Sequence, residues 1–154
     1  MKEFFQNLQT QNKRLLSIDF GVKRIGFAIS DPELKIAFPL TVIENKGIKH
    51  NVAEIQKILE KNNVGGFLIG KPTKMSGADS DIAFLVENFA NHLSQNIGIP
   101  ILFWDERFSS SVMQRELIEN FDMSRQKRKK IIDKLAASYF LQGALDYYNA
   151  NLHP

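Results

Sequence analysis

The chain has 154 residues, of which 44% are hydrophobic, with 12 Phe and one Trp among them. This length predicts one domain and excludes two large ones, and the apolar content excludes disorder over the whole chain. The 20 Lys and Arg residues exceed the 17 Asp and Glu residues by a mild +3, which permits an acidic partner such as nucleic acid without requiring one. Cysteine is absent, which excludes disulfides, Cys-ligated zinc and thiol catalysis.

Residues 1–13 are expected to form a short polar N-terminal arm or one amphipathic turn, followed by a single domain over residues 14–150. The apolar pair Phe4-Phe5 is too short for the core of a signal peptide. Apolar runs elsewhere fall well below the roughly 20 residues of a membrane span. We therefore expect a cytoplasmic protein that does not bind membranes.

In chain order, three short apolar runs separated by turns predict an antiparallel meander. Pro39 inside the third run indicates an edge strand or a bulge, because proline cannot donate to a sheet ladder. Apolar residues at helical spacing then alternate with two further buried runs, and Gly65-Gly66 is expected to end the first helix. This order predicts an α/β mixed sheet covered by helices. The predicted strands are 15–19, 25–30, 36–43, 67–69 and 99–104, and the predicted helices cover 52–59, 82–93, 111–118 and 127–148.

Carboxylates fall where the predicted parallel strands end. Strand one ends at Asp19 and strand five ends at Asp105-Glu106. Because the carboxyl ends of parallel strands meet at one edge of a sheet, these acids are expected to share that edge with the loop over residues 70–77. Asp133 lies early in the last helix, on a face with small residues that allow a close approach to the sheet.

Clustered carboxylates without His or Cys form an oxygen site that suits Mg²⁺ or Mn²⁺. Two such ions roughly 3.5–4 Å apart can promote hydrolysis of a phosphodiester. Each acid also has a simpler explanation. Asp19 is at a position typical of a turn residue, Asp105 and Glu106 can pair with Arg107, and Asp133 can pair with Lys129 one turn earlier.

Basic residues surround the same predicted edge. Residues 123–134 contain six Lys or Arg and one Asp. The simpler explanation of such a charge run is that it forms the solvent-exposed start of a helix. A polyanionic substrate requires cations beside an acidic metal site. We expect these basic side chains to contact mainly the backbone phosphates of a nucleic acid. The candidate nucleic-acid-binding residues are Lys23, Arg24, Lys71, Lys74, Arg107, Lys127, Arg128 and Lys130.

Four segments, in order, resemble the YqgF/RuvX family, the Holliday-junction-resolvase-like branch of the ribonuclease H fold. They are residues 18–26 (IDFGVKRIG), 70–77 (GKPTKMSG), 105–110 (DERFSS) and 130–142 (KIIDKLAASYFLQ). The resemblance implies a five-stranded mixed sheet, with the first three strands antiparallel, flanked by helices. It also implies maturation of the 5′ end of precursor 16S rRNA in the bacterial cytoplasm.

The same resemblance implies three metal-binding catalytic acids, Asp19, Glu106 and Asp133, and leaves open whether Asp105 replaces Glu106. Bacterial resolvases carry an acid at the end of strand four, where this chain has Lys71, and this difference argues against junction cleavage.

Three other functions stay open from the sequence. One is a junction endonuclease on branched DNA, which requires a symmetric dimer. Another is a non-catalytic nucleic-acid-binding factor acting on transcription. The third is a small phosphotransferase, for which the chain is short.

Overall fold

The computed structural model describes residues 1–72, 78–105 and 125–152. The predicted helix at 111–118 and the candidate site residues Lys74, Glu106 and Arg107 lie outside the described residues. Within the helices, the side chains of residues 78–80, 125–126, 128–130 and 132–134 are also outside the description. Among the described helices, none is both long enough and apolar enough to cross a membrane.

A five-stranded mixed sheet forms the centre of the fold, and its spatial order is β3-β2-β1-β4-β5. The first three strands pair antiparallel, whereas β4 runs parallel to both β1 and β5. The predicted sheet, including its antiparallel meander, is therefore confirmed. The strands are β1 (Arg14–Phe20), β2 (Arg24–Ser30), β3 (Ala37–Glu44), β4 (Val64–Lys71) and β5 (Ile101–Asp105).

Pro39 lies on an edge strand and beside a bulge, so both alternatives read from the sequence hold. Phe27 pairs with Thr41 while the next residue, Ala28, pairs with Pro39, which leaves Leu40 as the extra residue of β3. Because β3 has a neighbour on one side only, a residue that cannot donate a hydrogen bond is tolerated there.

Helices cover both faces of the sheet. One face, called the α3 face below, packs its apolar side chains against α2 and α3. The other, called the α4 face, packs against α1 and α4. The helices are α1 (Lys2–Thr10), α2 (Ile48–Lys61), α3 (Ala78–Asn96) and α4 (Arg125–Tyr147), and a π-helical turn (Tyr148–Leu152) follows α4.

The first residues form a packed helix, which differs from the short polar arm or single amphipathic turn expected. Phe5 and Leu8 lie three residues apart, on one side of α1, and both are buried. The ring of Phe5 stacks on that of Tyr148, with centroids 4.4 Å apart. Burial of Phe5 against Tyr148, and of Leu8 in the same core, stabilises the helix.

Gly65 and Gly66 do not end α2, and that expectation was wrong. The helix ends at Lys61, and the two glycines are residues of β4. A Cβ atom on Gly66 would lie 2.7 Å from Cζ of Phe4, and one on Gly65 would lie 2.7 Å from Cβ of Lys13. The glycines therefore allow α1 and the residues after it to pack directly against the strand.

Candidate active site

Asp19 lies at the carboxyl end of β1 and is directed to the α4 face. Leu15 belongs to the core on that face, and the Ser17 hydroxyl donates a hydrogen bond of 2.9 Å to the carbonyl oxygen of Ala137 in α4. Side chains alternate along a strand, so Asp19, two residues after Ser17, is directed to the same side. Asp19 is half-buried there.

Two hydrogen bonds fix the direction of α4 across the sheet. The first is the bond from Ser17 to Ala137 in the middle of β1. In the second, the Gln142 Oε1 atom accepts a hydrogen bond of 2.8 Å from the Ala37 backbone N–H, at the end of the sheet where β1 begins. Ala37 is in β3, two strands from β1, and lies level with the amino end of β1. From Gln142 back to Ala137, α4 therefore crosses the sheet obliquely, toward β1 and toward its carboxyl end. Its first turns therefore approach the carboxyl edge.

Position 133 of α4 lies one helical turn before Ala137, about 6 Å along the helix in the direction of the carboxyl edge. Asp19 lies two residues beyond Ser17, about 6.6 Å along β1 toward the same edge. Both positions are therefore on the carboxyl-edge side of the contact between Ser17 and Ala137. The buried residues Ala136 and Ala137 hold this part of the helix close to the sheet.

Asp105, in contrast, is on the opposite face of the sheet from Asp19. Leu102 and Trp104 of β5 belong to the core of the α4 face, so Phe103 and Asp105 are directed to the α3 face. Asp19 and Asp105 share an edge, as expected, but not a face. No group of three acidic or His side chains suited to a metal ion occurs among the described residues, which include neither Glu106 nor the Asp133 carboxylate.

The end of β4 contributes a glycine to the α4 face and a lysine to the α3 face. Leu68 belongs to the α4-face core, so Gly70 is on that side and Lys71 on the other. The Lys71 ammonium pairs with Glu87 of α3 and lies 5.2 Å from the centre of the Phe103 ring. Lys71 therefore points away from the Asp19 side.

Three other candidate cations are described near the carboxyl edge. Lys23 is exposed in the loop between β1 and β2, and the half-buried Arg24 begins β2. Lys127 is exposed in the first turn of α4. The side chains of Arg128 and Lys130 belong to the same helix but lie outside the description.

Reasoning from the sequence missed one residue near this edge, Asn45. Its side-chain Nδ2 donates a hydrogen bond of 2.9 Å to the Gly21 carbonyl oxygen, in the loop that follows Asp19. Gly21 itself is required there, because a Cβ would collide with the Arg24 carbonyl oxygen. The available signal was the Asn-Lys-Gly turn directly after β3, a composition typical of side-chain hydrogen bonds to the backbone.

Solved structures define the class of fold. Thermus thermophilus RuvC, in a structure with a Holliday junction substrate, aligns with a TM-score of 0.57 and 12% identity over 90% of this chain and 97% of that chain. A second structure of Thermus thermophilus RuvC aligns with a TM-score of 0.53 and 14% identity over the same shares. This likeness shows the ribonuclease H-like fold of a resolvase, as the sequence predicted.

Sequence comparison defines the family within that class. The RuvX family model, described as Holliday junction resolvase, matches residues 13–147. A Gluconacetobacter diazotrophicus relative is 43% identical over 136 residues, which are 88% of each chain. A Carboxydothermus hydrogenoformans relative is 43% identical over 138 residues, which are 90% of this chain and 99% of that one. Both are named "Putative pre-16S rRNA nuclease". The chain belongs to the RuvX family, and the predicted nuclease class is confirmed.

Proposed function

We propose that the protein is a divalent-metal-dependent nuclease that hydrolyses phosphodiester bonds of structured RNA, and that it processes the 5′ end of precursor 16S rRNA in the cytoplasm. The names of its relatives support the choice of RNA. The observation that supports the proposal is that Asp19 is directed to the α4 face, on the same side of the contact between Ser17 and Ala137 as position 133 of α4. Two acids from distant parts of the sequence would then border one site at the carboxyl edge of the sheet.

The residues at this edge fit a hard cation. Asp19, Glu106 and Asp133 would hold Mg²⁺ or Mn²⁺, since carboxylate oxygens are the ligands these ions prefer. Glu106 is favoured over Asp105 because Asp105 is directed to the α3 face. When bound, the ions would supply Lewis-acid polarisation of the scissile phosphate.

Cations of the chain would orient the substrate. Lys23 and Lys127 are exposed on elements that reach the carboxyl edge and can neutralise backbone phosphates on either side of the scissile bond. Lys71 is left out of this set, because its ammonium is engaged with Glu87 on the other face. The remaining candidates in the proposal are Arg24, Lys74, Arg107, Arg128 and Lys130.

Replacing Asp19 with Asn tests the proposal, since this change keeps the shape of the side chain and removes its charge. We expect cleavage of a precursor 16S rRNA fragment in Mg²⁺ or Mn²⁺ to fall at least ~100-fold, with unchanged stability in urea. Asp81→Asn is the matched control, because Asp81 is exposed on α3. EDTA should abolish wild-type activity. Activity that survives EDTA, or Asp19→Asn cleaving like the control, would show that the assignment is wrong.

A second pair of variants tests the choice between neighbouring acids. Glu106→Gln should reduce cleavage about as strongly as Asp19→Asn, whereas Asp105→Asn should retain most of the activity, because Asp105 is on the α3 face. The reverse order of effects would assign the metal to Asp105 instead.

A junction endonuclease is the second candidate, because the family model is described as Holliday junction resolvase. The end of β4 argues against it, since Gly70 and Lys71 place no acid beside Asp19. A synthetic four-way DNA junction should be assayed beside the RNA with the same Asp19 variant. Paired symmetric cuts in the junction, absent from Asp19→Asn, would favour this candidate over the RNA nuclease.

A further inference from the structure

The loop that follows Asp19, residues 21–23, is held by one residue from elsewhere in the chain. Asn45 comes directly after β3, and its side-chain Nδ2 donates a hydrogen bond of 2.9 Å to the Gly21 carbonyl oxygen. Its backbone N–H donates a second bond of 2.9 Å to the Lys23 carbonyl oxygen. Asn45 therefore contacts both ends of this three-residue loop.

Asn45 is itself oriented by a buried partner on α2. Asn51 is 1% exposed, and its Nδ2 donates a hydrogen bond of 2.9 Å to Oδ1 of Asn45. The Gly47 backbone N–H donates a further bond of 3.2 Å to the same oxygen. With Oδ1 accepting two bonds, Nδ2 of Asn45 is the group directed at Gly21, so the orientation of this amide follows from the network.

The clamped loop connects the proposed catalytic acid to an exposed cation. Phe20, next to Asp19, is anchored in the core by its contact with Phe89, whose ring centre is 4.8 Å away. Beyond this anchor the chain turns at Gly21 and presents Lys23 to solvent. A cation on a loop that is already ordered loses less conformational entropy when it meets a phosphate than one on a loose loop.

We propose that Asn45, oriented by Asn51, is a positioning residue for nucleic-acid binding. It fixes the loop over residues 21–23 so that Lys23 meets a substrate phosphate beside Asp19. This inference rests on the proposed function, because it needs a polyanionic substrate at the carboxyl edge. Asn45 acts through Lys23 and does not touch the substrate.

Asn45→Asp is the informative variant. It keeps the size of the side chain and replaces the Nδ2 donor with an oxygen that repels the Gly21 carbonyl. Asn62→Asp is the matched control at the other end of α2, because Asn62 donates an equivalent bond of 2.9 Å to the Ile58 carbonyl oxygen. Any general loss of stability from the exchange of one amide for a carboxylate should affect both variants.

A double-mutant cycle with Lys23→Ala measures the coupling. Affinity for a short RNA duplex is read by fluorescence anisotropy in EDTA at several salt concentrations. We expect Lys23→Ala to weaken binding about threefold and to flatten the salt slope by about 0.9. Asn45→Asp should weaken binding at least as much, because it also adds a negative charge beside the loop. The double variant should bind more tightly than the product of the two single effects predicts, and Asn62→Asp should bind like wild type. Effects that multiply in the double variant would overturn the proposal.

Trypsin gives a readout that does not depend on RNA. The protease cleaves after Lys and Arg, so nicking after Lys23 or Arg24, followed by mass spectrometry, reports on opening of the loop. Nicking should be faster in Asn45→Asp than in wild type or Asn62→Asp, and equal rates would overturn the clamp. A wild-type protein that is clamped by this test but binds no RNA would instead refute the proposed function.

Discussion

Ser17 should affect both stability and cleavage, because its hydroxyl fixes the distance between α4 and the strand that carries Asp19. The side chain is fully buried and donates a hydrogen bond of 2.9 Å to the Ala137 carbonyl oxygen. Two substitutions separate the loss of this bond from a change in distance. Ser17→Ala removes the bond and leaves space, whereas Ser17→Val removes it and adds volume.

The structure sets the expected magnitudes. Loss of one neutral hydrogen bond in Ser17→Ala should lower the free energy of unfolding by about 1 kcal/mol. Ser17→Val should cost ~1–3 kcal/mol more through overpacking. The Ser17 hydroxyl oxygen lies 2.9 Å from the Ala137 carbonyl oxygen, whereas a methyl group of Val in its place would need about 3.5 Å. In Ser17→Val, α4 must therefore move away from β1 by roughly half an ångström. Because a misplacement of ~1 Å can cost ~100-fold in rate, cleavage by Ser17→Val should fall about tenfold.

Ser30 provides the matched control. It is as buried as Ser17, and its Oγ accepts a hydrogen bond of 2.9 Å from the Leu15 backbone N–H near the amino end of β1. Ser30→Ala leaves that N–H unpaired and should cost ~1–3 kcal/mol. It should leave the cleavage rate unchanged, because it lies at the other end of β1 from Asp19.

Urea denaturation and single-turnover RNA cleavage measure the two effects on the same samples. We expect the two effects to separate: Ser30→Ala should lose only stability, whereas Ser17→Val should lose both stability and cleavage rate. If Ser17→Val is destabilised but cleaves at the rate of Ser30→Ala, the distance between α4 and β1 does not set the site, and position 133 would lose its place in the proposal.

Two further predictions concern the charged start of α4 and the end of the chain. Changing Lys127, Arg128 and Lys130 together to Ala should weaken binding of RNA or DNA without sequence preference. In a filter-binding titration, the slope of log K against log salt should flatten by the equivalent of up to about three phosphate contacts. An unchanged slope would mean that these residues only solvate the helix. Tyr148→Phe removes a bond of 2.7 Å to Gln9 Oε1 and should cost about 1 kcal/mol, whereas Tyr148→Ala should cost ~3–5 kcal/mol in urea denaturation. Burial raises the pKa of Tyr148 above 10.0, so its contribution is complete below pH 10 and is lost as the pH rises through the folded-state pKa.

The sheet could be predicted from the sequence because its signals are local. Short apolar runs separated by turn residues identified the strands, and Pro39 marked the edge strand with its bulge. Asp19 could be placed near the carboxyl end of β1 for the same reason, although the strand runs one residue further than predicted, to Phe20.

The N-terminal helix could not be predicted, because its partner lies far away in the chain. Phe5 and Leu8 form too short an apolar pattern to distinguish a helix from a polar arm, and burial by Tyr148 decides between them. Gly65 and Gly66 were misread for a related reason. Glycine is a poor helix former, and only the close approach of α1 shows why a strand needs it here.

The face of the sheet that each side chain occupies could not be predicted from the sequence. The edge at which a strand ends depends on chain direction, which the order of elements indicates, and both Asp19 and Lys71 were placed at the correct edge. The face depends on whether a residue is an even or an odd number of positions along the strand, so a shift of one residue reverses it. The hydrogen bond from Ser17 to Ala137 sets this count for β1, and the packing of Leu68 and Trp104 sets it for β4 and β5. The neighbours Asp105 and Glu106, which look equivalent in sequence, are for this reason no longer equivalent candidates for the metal.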